Sequence, residues 1–140
     1  MNLNFDFSDK KRREAKDEIR RTLKVFFATS KVIEIRGLNV PRGRCRPCTY
    51  LGYFDDLETA VNAALELTFD LKAGGVYVVM NKLNPALLAR SPNRLTAYPE
   101  KTTADADVIE RIWLLIDCDP VRPAGISSNW SAFEKVSHVL

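Results

Sequence analysis

Histidine occurs once in these 140 residues and cysteine three times, and no apolar run approaches the roughly 20 residues needed to span a bilayer. The opening Met1-Asn2-Leu3-Asn4-Phe5-Asp6 lacks the basic and apolar regions of an export signal, so a cytoplasmic protein with no membrane partner is expected. An odd cysteine count without such a signal argues against a disulfide framework. Cys45-Arg46-Pro47-Cys48 has the spacing of half a zinc site, but the remaining candidate ligands, Cys118 and His138, are distant and unpaired. A thioredoxin-like site would open a helix at the first cysteine, whereas Thr49-Tyr50-Leu51-Gly52-Tyr53-Phe54 reads as a strand, which leaves incidental thiols. Net charge is small as well. A formal +3 does not announce a nucleic-acid binder, so the distribution of charge matters more than its sum. The chain has neither internal repeats nor low-complexity segments.

What is present is the composition of a globular protein. With 46% hydrophobic and 28% charged residues, 140 residues make one domain large enough to bury a core, so residues 1–140 are taken as a single domain. Ser8 is placed to cap a helix from Asp9 to about Ala28, in which Ala15, Ile19, Leu23, Phe26 and Phe27 recur at helical spacing. Its other face carries Lys10, Lys11, Arg12, Arg13, Lys16, Arg20, Arg21 and Lys24, offset by Glu14, Asp17 and Glu18. That face reads either as a phosphate-facing patch or as a solvated surface knit by pairs such as Asp17 with Arg21.

Val32-Ile33-Glu34-Ile35-Arg36 alternates like a strand, with Ile33 and Ile35 inward and Glu34 and Arg36 on the opposite side. The following loop, Asn39 to Pro47, carries Arg42, Arg44 and Arg46 among glycine and proline. Arginines there can reach phosphates bidentately, or simply keep a hairpin loop soluble. Asp55 is expected to open a second helix with Glu58 completing a capping box. Leu57, Ala60, Val61, Ala64, Leu65, Thr68 and Leu71 line its apolar face, and Gly74-Gly75 stops it. Val76 to Met80 reads as a strand in the interior of a sheet, with Asn81 one step beyond, available to a ligand or to a turn. Asn84-Pro85 opens one helical turn to Ala89. The loop-like stretch Arg90 to Thr103, with Ser91-Pro92-Asn93 and Tyr98-Pro99 as breakers, is long enough to be functional or mobile, so Arg90 and Arg94 are candidates for nucleic-acid contact.

The most informative run is Trp113-Leu114-Leu115-Ile116-Asp117-Cys118-Asp119-Pro120. Four bulky residues suited to a strand precede two carboxylates, and the proline ends the ladder. Alternation puts Trp113, Leu115, Asp117 and Asp119 on one side, the two acids roughly 6 to 7 Å apart at their Cα atoms. Such a pair repels itself unless a cation, a basic group or a shared proton compensates it. Paired carboxylates suit Mg²⁺ or Mn²⁺, hard ions that leave positions for substrate phosphates. A haloacid-dehalogenase hydrolase also opens with Asp-x-Asp, but would continue Gly-Thr where this chain has Pro120-Val121.

Leu114 to Ser127, with its Asp117-Cys118-Asp119-Pro120-Val121-Arg122-Pro123-Ala124-Gly125 core, resembles the catalytic strand and loop of the archaeo-eukaryotic primase superfamily. The likeness is to the primase-polymerases of bacteria, phages and plasmids. Val76-Tyr77-Val78-Val79-Met80-Asn81 followed by Asn84-Pro85-Ala86-Leu87-Leu88-Ala89-Arg90 resembles the same group, in the same order. The resemblance covers about Val32 to Ile126. It implies that Asp117 and Asp119 ligate Mg²⁺ or Mn²⁺ and align a nucleoside triphosphate for transfer, by the two-metal scheme. Arg122 then answers triphosphate charge or braces its loop. Arg36, Arg42, Arg44, Arg46, Asn81 and Arg90 are the further candidates for nucleotide or nucleic-acid contact.

The family pattern continues with a Ser-x-His strand and a third carboxylate. Here only Ser137-His138 follows, so the amino-terminal half of a catalytic domain is expected, weakly active or inactive alone. Within it, residues 1–30 form the basic helix and residues 31–140 the primase-polymerase-like part. The expected fold is α/β of the α+β kind, a mixed, partly antiparallel sheet with flanking helices. A stretch capped at Ser127 or Ser128 and carrying Trp130, Phe133, Val136 and Leu140 either completes the core or leaves an open sheet edge for a partner chain or a homodimer mate. Two other readings use the same residues: a primase-derived module that binds nucleic acid, nucleotide or protein without chemistry, and a metal-dependent nuclease, for which no general base is evident.

Overall fold

The structure, a computed structural model, describes residues 3–115, with side chains from residue 9 onward. Asp117, Cys118, Asp119, Arg122, His138 and the stretch from Ser127 to Leu140 lie outside the described residues.

The first helix, α1 (Leu3–Phe27), begins before the expected cap, so Ser8 lies inside it. Leu23 is buried on its inner face, with Ala15, Ile19, Phe26 and Phe27 packed beside it, as the spacing predicts. Much of the basic face is used internally. Arg12 donates to both carboxylate oxygens of Asp70, at 2.7 and 2.9 Å, while Arg20 donates to Glu58 at 2.6 and 2.9 Å. These hydrogen bonds hold the Asp70 and Glu58 carboxyls below their ordinary ranges. Along α1 itself Lys10 pairs with Glu14 at i,i+4, while Asp17 pairs with Arg20 and Glu18 with Arg21 at i,i+3, in place of the expected pair between Asp17 and Arg21.

Strands β1 (Ile33–Arg42) and β2 (Cys45–Phe54) form an antiparallel hairpin whose turn has Gly43 at φ 58°. The arginine stretch is therefore hairpin and not loop. Arg42 ends β1, Arg44 sits in the turn and Arg46 lies in β2. Irregularities between Gly37 and Val40, and again between Val40 and Arg42, absorb the residues that alternation cannot place. A bulge of this kind tolerates Pro41, which has no N–H to give to the ladder. The short link between the strands makes an antiparallel pair, as expected.

Helix α2 (Leu57–Leu65) is capped by Asp56, whose carboxylate accepts from Thr59 N at 2.8 Å, one residue later than the expected Asp55. Asp55 instead accepts from the Asn93 side chain at 2.6 Å, and Glu58 is held by Arg20, so no capping box closes. The helix continues as a π turn over Glu66–Asp70 and stops at Lys72, φ 54°, two residues before the glycine pair. Ala73 N closes the end on Leu67 O at 2.8 Å.

Strand β3 (Gly75–Val78) pairs antiparallel with β1. Further along come β4 (Lys82–Leu83), a 3₁₀ turn over Pro85–Arg90 capped by Asn84, β5 (Thr96–Ala97), a second 3₁₀ turn over Asp105–Asp107 and β6 (Val108–Glu110). The main sheet has the order β3-β1-β2-β5, and β4 pairs separately with β6. Among the described residues β3 is thus an edge and not the interior strand expected, with Val76 and Tyr77 exposed. Of the strand expected from Trp113 toward Asp119, the described residues 113–115 are not in a strand, and the rest lies outside the described residues. β6 ends at Glu110, opposite Lys82 at the start of its antiparallel partner β4, and residues 111–115 carry no ladder.

Both faces of the sheet are covered. Ile33, Ile35 and Phe54 meet α1 and α2 on one side, while Val32, Leu51 and Tyr53 meet Leu83 and Leu87 on the other. Helices flanking an antiparallel sheet make this an α+β fold. The second layer has one large consequence. Glu34, on the face opposite Ile33 and Ile35, is 1% exposed. No helix among the described residues is long and apolar enough to cross a membrane.

Candidate nucleic-acid interface

The candidate residues gather in three places. Arg44 and Arg46 stand exposed at the hairpin tip, and neither has an ion-pair partner among the described residues. Arg42 turns back, its guanidinium over the Tyr98 ring at 5.2 Å from the centroid. Its pKa is raised, first by the electrostatic interaction with Tyr98 and then by a hydrogen bond with Cys48. Cys48 is buried and Cys45 exposed, both as free thiols.

Beneath the sheet a polar chain runs from Arg36 to Asp107. Glu34 accepts from Arg36 Nε at 2.7 Å, with Arg36 Nη2 in ion-pair contact at 2.6 Å, from Thr103 N at 3.2 Å, and from the Thr103 hydroxyl. Thr103 Oγ1 and the Tyr53 hydroxyl are 3.1 Å apart. Arg90 pairs with Asp107 at 3.3 and 3.4 Å, and its pKa is raised chiefly by a hydrogen bond with Tyr53. Asp107 accepts from Ala104 N at 3.0 Å, the largest cause of its lowered pKa. A buried carboxylate needs this many donors, since leaving its oxygens unpaired costs several kcal/mol, on the order of 3 to 5. Arg36 therefore serves Glu34, and Arg90 stands at the chain's outer end with part of its surface open.

Asn81 occupies the third place. Its side-chain oxygen accepts from both Ile112 N and Trp113 N at 2.8 Å. Trp113 packs edge-to-face on Phe26, centroids 6.2 Å apart, and its Nε1 donates to Thr29 Oγ1 at 3.4 Å. The Asn81 side-chain oxygen is thus engaged within the chain. It docks the segment that leads in sequence to Asp117.

Arg90, Ser91, Thr96, Tyr98, Glu100 and Lys101 line a cleft of about 500 Å³, floored by Leu51. Its wall is pinned to β2 by Tyr53 N donating to Ser91 O at 3.1 Å and Asn93 N to Tyr53 O at 2.8 Å. The approach requires Gly52, because a Cβ there would overlap the Arg94 carbonyl oxygen. Ser91 Oγ donates to that same carbonyl at 2.8 Å. Lys101 and the open part of Arg90 make the cleft attractive to anions, and Glu100 and the Asp107 paired with Arg90 temper it.

Sequence reading missed Glu34, Thr103, Tyr98 and Lys101. Tyr98-Pro99 was visible only as a chain breaker, and no local pattern marks Thr103 as the partner of a residue 69 positions earlier. Among the described residues no group of three or more His, Cys, Asp or Glu side chains is placed to hold a metal. In comparisons with family models, curated proteins and solved structures, none matches this chain.

Proposed function

We infer that this chain is a primase-polymerase-like nucleotidyltransferase domain acting on nucleic acid in replication or repair, with Asp117 and Asp119 as its metal ligands. The observation that carries the reading is the cation-lined cleft. Arg90 and Lys101 line it, and Arg42 and Tyr98 link it to the exposed Arg44 and Arg46 of the hairpin tip. Arginine and lysine on an open surface suit phosphates, and arginine does so bidentately. The donor set fits the proposed ion, because two carboxylates offer the hard oxygen ligands that Mg²⁺ and Mn²⁺ prefer. Bound there, a divalent ion would lower the pKa of an attacking hydroxyl and neutralise triphosphate charge. The chain's own part is to hold the nucleic-acid backbone through Arg44, Arg46 and Lys101, and to dock the segment leading to the acids through Asn81.

A second reading is a binding module without chemistry, favoured by cations on the hairpin and the cleft wall that attract phosphate without a metal ion. The two readings separate cleanly. Weak template-directed nucleotide incorporation with Mg²⁺ or Mn²⁺, in keeping with a chain of little activity alone and abolished in Asp117→Ala, supports the transferase. Binding of single-stranded DNA that falls steeply with salt, unchanged in Asp117→Ala/Asp119→Ala and unaccompanied by incorporation, supports the module. In either case Arg44→Ala/Arg46→Ala should flatten the salt dependence, and no salt-dependent binding at all sinks the nucleic-acid reading.

A further inference from the structure

We propose that Tyr98 and Arg42 form a stacking platform for an unpaired base of single-stranded nucleic acid, whose neighbouring phosphate is met by Lys101 and Arg90. The proposal rests on the nucleic-acid reading above and names the subsite that reading lacks. Three features of Tyr98 carry it. Its backbone lies at φ 51°, a left-handed conformation that is an outlier for a bulky residue. That conformation is held by Tyr98 N donating to Thr49 O at 3.0 Å, immediately after β5 pairs Ala97 with Tyr50. The cost of the conformation is not repaid by burial, since Tyr98 remains 59% exposed.

The neighbours give the ring its chemistry. Arg42 lies over the ring at 5.2 Å, so an aromatic ring and a guanidinium stand together at the surface. Unpaired bases stack on aromatic and guanidinium planes whatever their sequence, because every base has a π face. Tyr98 also lines the cleft that contains Arg90 and Lys101. A base on the ring would therefore set its backbone beside two cations, with Thr96 and Ser91 hydroxyls nearby. A duplex cannot use the platform, because its bases are already stacked. The ligand class is a single strand.

The test compares the 140-residue chain with Tyr98→Phe, Tyr98→Ala and Tyr98→Asn by fluorescence anisotropy, using a labelled single-stranded DNA of about a dozen nucleotides. A strand of the same length with abasic sites is the second probe. Stacking predicts that Tyr98→Phe keeps the affinity and that Tyr98→Ala and Tyr98→Asn weaken it by about five- to a hundredfold. Asn tolerates the left-handed backbone, so it separates lost stacking from lost folding. Both effects should vanish on the abasic strand, while the slope of affinity against salt stays that of the parent. Equal binding of the two strands by the parent chain overturns the platform yet leaves the nucleic-acid reading standing. Failure of the parent to bind either strand in a salt-dependent way overturns both.

Discussion

Glu34 offers the sharpest test of how this fold is held together. It is 1% exposed, pairs with Arg36 through one hydrogen bond and an ion-pair contact, and accepts two hydrogen bonds from Thr103, tying β1 to the loop that precedes β6. Removing one side of a buried ion pair costs about 3 to 5 kcal/mol, because the abandoned charge keeps its desolvation penalty. Here the Arg36 side chain is 27% exposed and can recover some water, which brings Glu34→Ala to about 3 kcal/mol. Glu34→Gln keeps one carbonyl oxygen but turns an amide N–H₂ toward donors, and should cost about 2 kcal/mol.

Urea unfolding reads both. With a slope of about 2 kcal/mol per molar, the Ala variant should lose about 1.5 M in midpoint with the slope unchanged. A Glu34/Thr103 double-mutant cycle should show coupling, since Thr103→Val removes a partner of the same carboxylate. Amide exchange at Thr103 should quicken in Glu34→Ala as the loop loosens. An unfolding free energy within about 0.5 kcal/mol of the parent in Glu34→Ala would refute the argument that this carboxylate anchors the loop.

Gly52→Ala places a methyl group against the Arg94 carbonyl, so it should destabilise by about 1 to 3 kcal/mol in urea and weaken binding at the cleft. Leu67→Ala, at a fully buried site, should cost about 3 kcal/mol. It also vacates the space that a Cβ at Gly37 would strike, 2.5 Å from Leu67 Cδ2, so Gly37→Ala with Leu67→Ala should be less damaging than the sum of the two. Asn81→Ala removes the acceptor for Ile112 N and Trp113 N, and limited trypsin digestion should then cut faster after Arg111. The folded-state pKa values of Asp70 and Glu58 lie below their ordinary 3.8 and 4.5, each lowered chiefly by an arginine hydrogen bond. Their stabilisation is whole above those ordinary values and is lost as pH falls through the lowered ones, so urea midpoints should drop from about pH 5 downward. The drop should be shallower in Arg12→Gln/Asp70→Asn, and an identical profile would show that this pair carries no linkage.

Local pattern made part of this protein legible without coordinates. The inner faces of α1 and α2, the inward Ile33 and Ile35, the β1–β2 hairpin and the turn opened at Asn84 all follow from spacing or from a residue's own backbone preference. Such features need only nearest neighbours along the chain. Capping was legible to within one residue, because Asp55 and Asp56 are equally suited to it. What chose between them was Asn93, far along the chain, which claims Asp55. The helix end was missed for a related reason. Gly74-Gly75 is the obvious stop, yet a π turn and the left-handed Lys72 end the helix first.

The candidate site shows the same division. That Arg42, Arg44 and Arg46 cluster was plain from the order of residues, and so was the potential of Asp117 and Asp119 as oxygen donors. Which arginines remain open was decided by tertiary structure, because Arg36 meets a carboxylate that only the second layer buries and Arg12 and Arg20 meet acids on or beside another helix. A charge pair depends on position in space, and sequence separation says nothing about it. Tyr98 makes the point most simply. As a residue before proline it signalled only a break in the chain, and it becomes a candidate surface for a base once folding sets Arg42 over its ring and a cleft at its side.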